Sequence, residues 1–328
     1  MLIGHENLKK RVHTAVTSAK FRNKALPHTM LTGSAGCGKT STALWLSELG
    51  GYDFLPVAPL SLKNKADVYR LLERLNCDGY NERGDRDKEI RPTIMFFDEI
   101  HRLPVIAQEI LGVAMERFVL EADAANKYIW LPYFTLVGAT TDEGLLSKPF
   151  RDRFKLTFIY QPYSDADMYK ICLFHTNKMG VRITPKAVRE VVNRSRGVPR
   201  ALVNHIDGIY DALLTNGLSV IDSMLTTEVF DMAGIDATGL TKTEIKMMLS
   251  LHETNGPLGL DNLAIITNES PKNISQSIEP YLIRRGFMVR ASKGRTITEK
   301  GINYLEENGH ILHSNGSKIQ IDTSYKRQ

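Results

Sequence analysis

Cysteine is scarce in this chain of 328 residues: there are three, Cys37, Cys77 and Cys172, with no CxxC pair and no zinc-type spacing. Such a set excludes a disulfide framework and suits a reducing compartment. Long apolar runs are also missing, none approaching the roughly 18 residues of a membrane-spanning helix. The first ten residues, Met1 to Lys10, have no apolar stretch behind their charges, so a signal peptide is not expected there. The expectation is a cytoplasmic protein with no membrane partner. No internal repeat is found. Neither sign of charge dominates: 42 Lys and Arg stand against 37 Asp and Glu, a formal net charge of +5. So small a surplus permits nucleic-acid binding without arguing for it, because the distribution of charge matters more than its sum.

What the chain does contain is an alternation of patterns. Leu8, Val12, Val16 and Ala19 recur at helical spacing and predict an amphipathic first helix. The apolar run at 28–32 leads into a glycine-rich loop and a helix over 40–49. A second strand at 54–58 is followed by a helix over 67–75 and a polar loop at 77–91. The runs 93–97 and 135–139 are apolar throughout, hence strands buried on both faces. This predicts an α/β domain with a parallel, doubly wound sheet over residues 1–161. After Gln161-Pro162-Tyr163 the patterning is helical (166–179, 185–196, 199–215), which predicts an all-α lid over 162–236. Residues 233–239 read as a linker. Residues 237–312 hold three helical patterns (242–253, 260–267, 270–285) and then short strands at 287–291 and 295–298, the winged-helix order. A polar tail, 313–328, closes the chain.

The chemistry begins at Gly33-Ser34-Ala35-Gly36-Cys37-Gly38-Lys39-Thr40, which fits GxxxxGK[ST] at every position, with Ser41 following. Glycines let successive backbone N–H groups point at phosphate oxygens, Lys39 neutralises the β- and γ-phosphates, and the Thr40 hydroxyl suits Mg²⁺. A chance match in a chain of this length has odds of about 1 in 100 at ordinary residue frequencies. Inside the loop, Cys37 lies near Lys39 and helix N-terminal amides, which should lower its thiol pKa. The strand ending Phe96-Phe97-Asp98-Glu99 supplies two carboxylates, Asp98 for the Mg²⁺ shell and Glu99 to orient the attacking water. Read alone, an apolar strand running into acidic residues is a common strand exit; following a complete phosphate loop it becomes specific. Thr140 and Thr141 end the next core strand, which in a P-loop sheet lies beside the strand of the loop. Arg151 and Arg153 follow in Pro149-Phe-Arg-Asp-Arg-Phe154, and as isolated residues they would read as a solvated helix face.

The motifs GSAGCGKT, FFDEIHRL, FTLVGATT, LLSKPFRDRF, SRGVPRA and NGPLGLDNLA…IEPYLIRRGF…GRTIT occur in the order seen in RuvB, the bacterial Holliday-junction branch-migration motor. The chain resembles that family over residues 2–305. The resemblance implies an α/β P-loop AAA+ domain, an all-α lid and a C-terminal winged helix, using ATP and Mg²⁺ to drive branch migration. It implies that Thr141 reads the γ-phosphate and that Arg153 is an arginine finger reaching a neighbouring subunit. It further implies that Arg200, after Pro199, is a second sensor, and that Ile3-Gly4-His5 lies near the adenine. A finger acting in trans implies a homo-oligomeric ring, expected as a hexamer. The winged helix is expected on DNA, which the sequence supports on its own. Over 282–300, Arg284, Arg285, Arg290, Lys293, Arg295 and Lys300 face one acid, Glu299.

Four departures mark a divergent relative, of a kind compatible with a phage or mobile element. The basic, proline-containing lead-in of the family is missing before Ile3. The segment after Glu116 is short and carries the polar 121–127 where the family has an apolar-tipped hairpin for its partner RuvA, which removes the usual support for a RuvA-like partner. Asp142 follows GATT where the family carries Arg, and 77–91 has the look of an insertion. Three other functions fit the sequence less well. A clamp-loader-like or initiator-like switch fits the winged helix, although clamp loaders show SRC around the finger. A protein-remodelling ATPase would need an aromatic pore loop, whereas 59–65 is basic and has no aromatic. A non-hydrolysing adaptor conflicts with the intact Lys39, Thr40, Asp98, Glu99 set.

Overall fold

A computed structural model of the chain describes residues 3–22, 24–75, 92–121, 128–254 and 256–312. The chain divides into two compact units, Met1–Val220 and Ile221–Gln328.

In the first unit the apolar runs form β1 (Thr29–Thr32), β2 (Asp53–Val57), β3 (Thr93–Phe97), β4 (Phe134–Thr140) and β5 (Leu156–Ile159). They make one five-stranded sheet, in the order β2-β3-β4-β1-β5, with every neighbouring pair parallel. Parallel neighbours need crossovers, and these are α2 (Lys39–Gly50), α3 (Lys65–Glu73) and α4 (Val105–Arg117), with α1 (Glu6–Phe21) ahead of them. Alternate residues of the central strands feed opposite faces. Ile94, Phe96, Val137 and Ala139 pack with Leu8, Val12, Val16 and Ala19 of α1 and with Leu46 of α2. Met95, Phe97, Phe134 and Leu136 pack with Val68, Leu71 and Leu72 of α3 and with Leu111 of α4. Hence β3 and β4 are mostly apolar, and all seven residues of β4 are buried, Thr135 and Thr140 included. Strand β5, mixed in pattern and at the sheet edge, gives no such signal in the sequence.

An antiparallel pair, Val119–Glu121 with Tyr128–Trp130, lies between α4 and β4. Its tip, like the polar stretch 77–91 and the tail 313–328, lies outside the described residues. Short α5 (Lys148–Arg151) precedes β5, and α6 (Asp165–Lys178), α7 (Pro185–Arg194) and α8 (Pro199–Thr215) follow it. Helix α7 ends two residues before the expected 196 because the chain turns through left-handed Arg196 and Gly197. A Cβ on Gly197 would stand 2.9 Å from the carbonyl oxygen of Tyr163, so glycine is needed at this close approach.

The second unit holds α9 (Ser223–Met232), α10 (Lys242–Glu253), α11 (Leu260–Thr267), α12 (Pro271–Asn273), α13 (Glu279–Arg285) and α14 (Glu299–Glu307). The wing is the antiparallel pair β6 (Met288–Ala291) and β7 (Gly294–Ile297). The single helix expected over 270–285 is broken by a π-helical turn, Ile274–Ile278. Pro280 lacks an N–H and crowds the preceding turn, so the helical register loosens just ahead of it. Helix α14, which the sequence reading did not separate from the wing, is capped by Thr298 accepting from Gly301 N at 3.1 Å. Leu240, Met247, Leu263, Ile274, Leu282 and Leu305 close one core beneath the wing. The expected linker at 233–239 is a fastened turn in which Asp236 Oδ1 accepts from Thr238 N and Leu240 N, both at 2.8 Å.

Candidate nucleotide site

All five strands are parallel, so their C-terminal ends share one edge, and strand β1 is where the order switches direction. Ligands of open α/β sheets bind at such an edge. The phosphate loop leaves β1 there. Gly36 and Gly38 lie at φ of 77° and 93°, left-handed conformations that turn the loop into the start of α2. Gly38 is the N-cap of α2 with no side-chain cap, which leaves the first helical N–H groups free for an anion. Lys39 is 6% exposed, and its Nζ donates to Gly33 O at 2.7 Å and Ser34 O at 2.9 Å. The ammonium is thus held over the loop by neutral carbonyls, which phosphate oxygens would outbid as charged acceptors. Thr40 and Ser41 are exposed at the helix start; Ser34 and Ala35 lie in the loop between the glycines.

Cys37 corrects the sequence reading. Its side chain is buried, and burial raises the thiol pKa, outweighing the lowering by Lys39. The loop's positive field is present, but the thiol sits inward, against the core of α1 and α2.

The β1–β4 pairing places Thr32 opposite Thr140, beside the loop. Asp98 and Glu99 end β3 one strand further on. Asp98 is exposed, and its Oδ1 accepts from Glu99 N at 3.0 Å. Glu99 has φ 51°, unusual for a residue with a Cβ. Its Oε2 accepts from Thr141 Oγ1 at 3.2 Å, so the two residues assigned to water and to the γ-phosphate meet directly. His101, which the sequence reading passed over within FFDEIHRL, stands 3.3 Å from the same Oε2 and 3.0 Å from Thr140 Oγ1. Glu143 was also missed; its Oε2 accepts from Thr32 Oγ1 at 3.0 Å. Glu143 carries no signal in composition or spacing, since strand adjacency brings it in; His101 lies within the quoted motif, but its bond to Thr140 depends on the pairing of β3 with β4.

On the other side of the loop the lid comes close. A Cβ on Gly36 would stand 2.7 Å from the Cβ of Arg200 and 3.3 Å from Val198 Cγ1, which puts the start of α8 against the phosphate loop. The Arg200 side chain is exposed, and Pro199 opens the helix. Tyr163 OH donates to Cys37 O at 3.3 Å and Tyr160 OH to Thr42 Oγ1 at 2.5 Å, tying the hinge after β5 to the loop. Burial pushes the Tyr163 hydroxyl up to about 12, so it stays a donor at any working pH. The segment Ile3-Gly4-His5 lies on the same tyrosines. The His5 ring packs edge-on at 4.2 Å from Tyr163 and 5.1 Å from Tyr160, and burial lowers its pKa.

Arg153 is not part of this cluster. Its guanidinium donates to Pro149 O and to Glu116 Oε2, the latter at 3.2 Å, and it lies over Gly112 of α4. In the second unit the basic wing is less free than its sequence suggests. Glu279, with no exposed surface, accepts from both Arg290 and Arg295, so these two are committed to a buried carboxylate. Arg285 lies over the Phe287 ring at 5.4 Å, while Arg284 and Lys293 are exposed. Among the described residues no helix is long and apolar enough to cross a membrane.

Residues 1–159 match the family described as the Holliday junction DNA helicase RuvB P-loop domain, and residues 237–306 match the RuvB C-terminal winged helix domain. The Holliday junction branch migration complex subunit RuvB of Synechococcus sp. (strain RCC307) is 34% identical over 313 residues, covering 93% of this chain and 87% of that protein. The structure described as the Thermotoga maritima RuvB Holliday junction branch migration motor is 31% identical, with a TM-score of 0.77 over 93% of this chain and 95% of the other. A point variant of the same Thermotoga maritima protein gives a TM-score of 0.78 at 31% identity, over 93% of this chain and 96% of the other. Phosphate loop, paired carboxylates, lid and wing therefore coincide with one family along nearly the whole chain: it belongs to the RuvB family of P-loop ATPases.

Proposed function

We propose that this chain is an ATP-driven DNA motor that assembles as a homo-oligomeric ring and moves the crossover of Holliday junctions. The observation that carries the reading is the meeting of Glu99 with Thr141 beside a complete phosphate loop, on a chain that also ends in a winged helix. In this reading the loop amides of residues 33–41 and Lys39 bind the phosphates of ATP, with Ile3 near the base and Pro199 beside Arg200 at the nucleotide. Thr40 and Asp98 hold Mg²⁺. Among the described residues no three His, Cys, Asp or Glu side chains converge on a metal. One hydroxyl and one carboxylate suit a magnesium ion whose remaining ligands are phosphate oxygens and water. When bound, the ion draws charge from the phosphates. Glu99 orients the attacking water, Thr141 senses the γ-phosphate, and Arg200 couples the lid over 162–236 to the nucleotide held by the domain over 1–161. Arg153 completes the site of the next subunit, and such a residue is worth about 10³–10⁵ in rate.

Six subunits are the ring size this reading takes, and a RuvA-like partner is not required by it. The winged helix over 237–312 contacts DNA through Arg284 and Lys293 directly. Arg285, Arg290 and Arg295 add to the field, and Glu279 fixes the last two. These are phosphate contacts, independent of sequence. The location is cytoplasmic, with the DNA.

The test is ATP-dependent dissociation of a labelled synthetic four-way junction by the purified protein alone, at one stated low salt concentration. Separation that disappears in Lys39→Ala supports the motor. Absence of any stimulation of ATP hydrolysis by any DNA sinks it.

A further inference from the structure

Tyr163 touches the phosphate loop from a distant part of the sequence. It lies between β5 and α6, and its hydroxyl donates to the carbonyl of Cys37 at 3.3 Å. A carbonyl only accepts, so the direction of this bond is fixed, though 3.3 Å is long for a hydroxyl donor. The ring has no room to swing away. It is 7% exposed, the His5 ring packs edge-on at 4.2 Å, and a Cβ on Gly4 would stand 3.0 Å from its Cε1. Its backbone N donates to Gly197 O at 3.0 Å, in the turn that leads into α8. The carbonyl that Tyr163 holds shares a planar peptide with the N–H of Gly38. In a trans peptide the two point in opposite directions, so a carbonyl drawn toward Tyr163 aims the Gly38 N–H away from it. That N–H meets no acceptor among the described residues. A donor on the carbonyl end of a peptide also polarises its N–H, which makes it the stronger donor.

We propose that Tyr163 is a positioning residue for the phosphate loop: by holding Cys37 O it presents the Gly38 N–H to a phosphate oxygen of the nucleotide. This rests on the ATPase reading above, in which the loop amides bind phosphate. Amides of such loops cradle the α- and β-phosphates, which ADP retains. An amide bonded to those groups serves substrate and transition state alike, so its effect falls on binding and not on kcat. The hydroxyl is far from the reacting atoms in sequence and acts only through the peptide it holds. Its seat is set by the N-terminal segment at Gly4 and His5 and by the lid turn at Gly197, so the aim of a loop amide depends on both.

The test is Tyr163→Phe in the full-length protein, which removes the hydroxyl and keeps the ring. Cys37-Gly38 is the only Cys–Gly step in the sequence. Cysteine labelled with ¹³C at the carbonyl and glycine labelled with ¹⁵N therefore give a single carbonyl–amide correlation, that of this peptide. In the variant the carbonyl carbon is expected to move upfield, as it does on losing a donor, and the Gly38 amide to move with it. ADP, which should shift the Gly38 proton downfield in the parent, shifts it less in the variant. Calorimetry is expected to show Kd for ADP raised by about 3- to 5-fold, the lower range for one hydrogen bond. KM for ATP rises by a similar factor, with kcat within about twofold. A correlation that Tyr163→Phe leaves in place overturns the proposal. So does parental ADP affinity beside a lowered melting temperature, which would make Tyr163 a packing residue alone. A parent protein that binds ADP and hydrolyses no ATP overturns the functional reading instead, and the labelled peptide tells the two failures apart.

Discussion

A methyl group on Gly36 would stand 2.7 Å from the Cβ of Arg200, on a backbone at φ 77°. Both facts bear on one substitution. Gly36→Ala is expected to carry about 1–2 kcal/mol of left-handed strain and to push α8 away from the loop. Nucleotide affinity should fall by at least about tenfold, which corresponds to about 1.4 kcal/mol, with a smaller drop in melting temperature. Binding of a fluorescent ATP analogue checks it; parental affinity would mean that the lid tolerates the added carbon. At this scale the sequence motif names the residues but not their states. Lys39, Asp98 and Glu99 were legible because spacing and chemistry demand them. The raised thiol of Cys37 was not, because whether a side chain faces the loop or the core depends on what packs behind it.

At the scale of elements, His28 links three of them. Its Nδ1 accepts from Leu136 N of β4 at 2.9 Å, which puts the proton on Nε2, 2.9 Å from Met115 O near the end of α4. Burial lowers its pKa to about 4 from an ordinary 6.5. The unfolded chain takes up this proton first as pH falls. The contribution of neutral His28 is therefore complete above pH 6.5 and is lost progressively down to about 4, amounting to about 3 kcal/mol. Chemical denaturation of the parent and of His28→Gln between pH 7.5 and 5 should show a steeper loss of stability in the parent. Parallel curves would contradict it.

The wing is the second element with a consequence. Removing Arg295 leaves Glu279 buried with one partner fewer, and breaking a buried pair costs on the order of 3 kcal/mol. Arg295→Ala should thus lower both the stability of the second unit and DNA affinity. Lys293→Ala should leave stability within about 0.5 kcal/mol and reduce the salt dependence of DNA binding by about one counterion. Thermal melts and a salt titration of binding separate the two; equal effects would remove the distinction. The helices 242–253 and 260–267 were legible to the residue from periodicity and capping residues. The break at 274–278 was not, since a π turn answers to Pro280 and to the core beneath it together.

For the whole molecule the ring makes the sharpest claim. If Arg153 serves a neighbour, Lys39→Ala and Arg153→Ala are each inactive alone, yet a mixture restores some sites. In an equimolar exchanged ring about a quarter of the interfaces join an intact phosphate loop to an intact finger. Recovery of about that share of ATPase activity is expected, and none would place Arg153 outside the catalytic machinery. Its present partners, Glu116 and Pro149, belong to its own subunit, so departure from them accompanies assembly in this reading.

The sequence by itself determined the alternation of buried strands and amphipathic helices, the complete phosphate loop, the paired carboxylates and the order of lid and wing. Each of these is local: periodicity, a glycine's freedom, or a residue's own chemistry within a few positions. Only the tertiary structure decided that Thr141 hydrogen-bonds Glu99 while His101 hydrogen-bonds Thr140, that Arg200 abuts Gly36, and that Glu279 takes up two wing cations. Those contacts join residues on different strands and helices, and sheet order and packing, which set them, are properties of the folded chain.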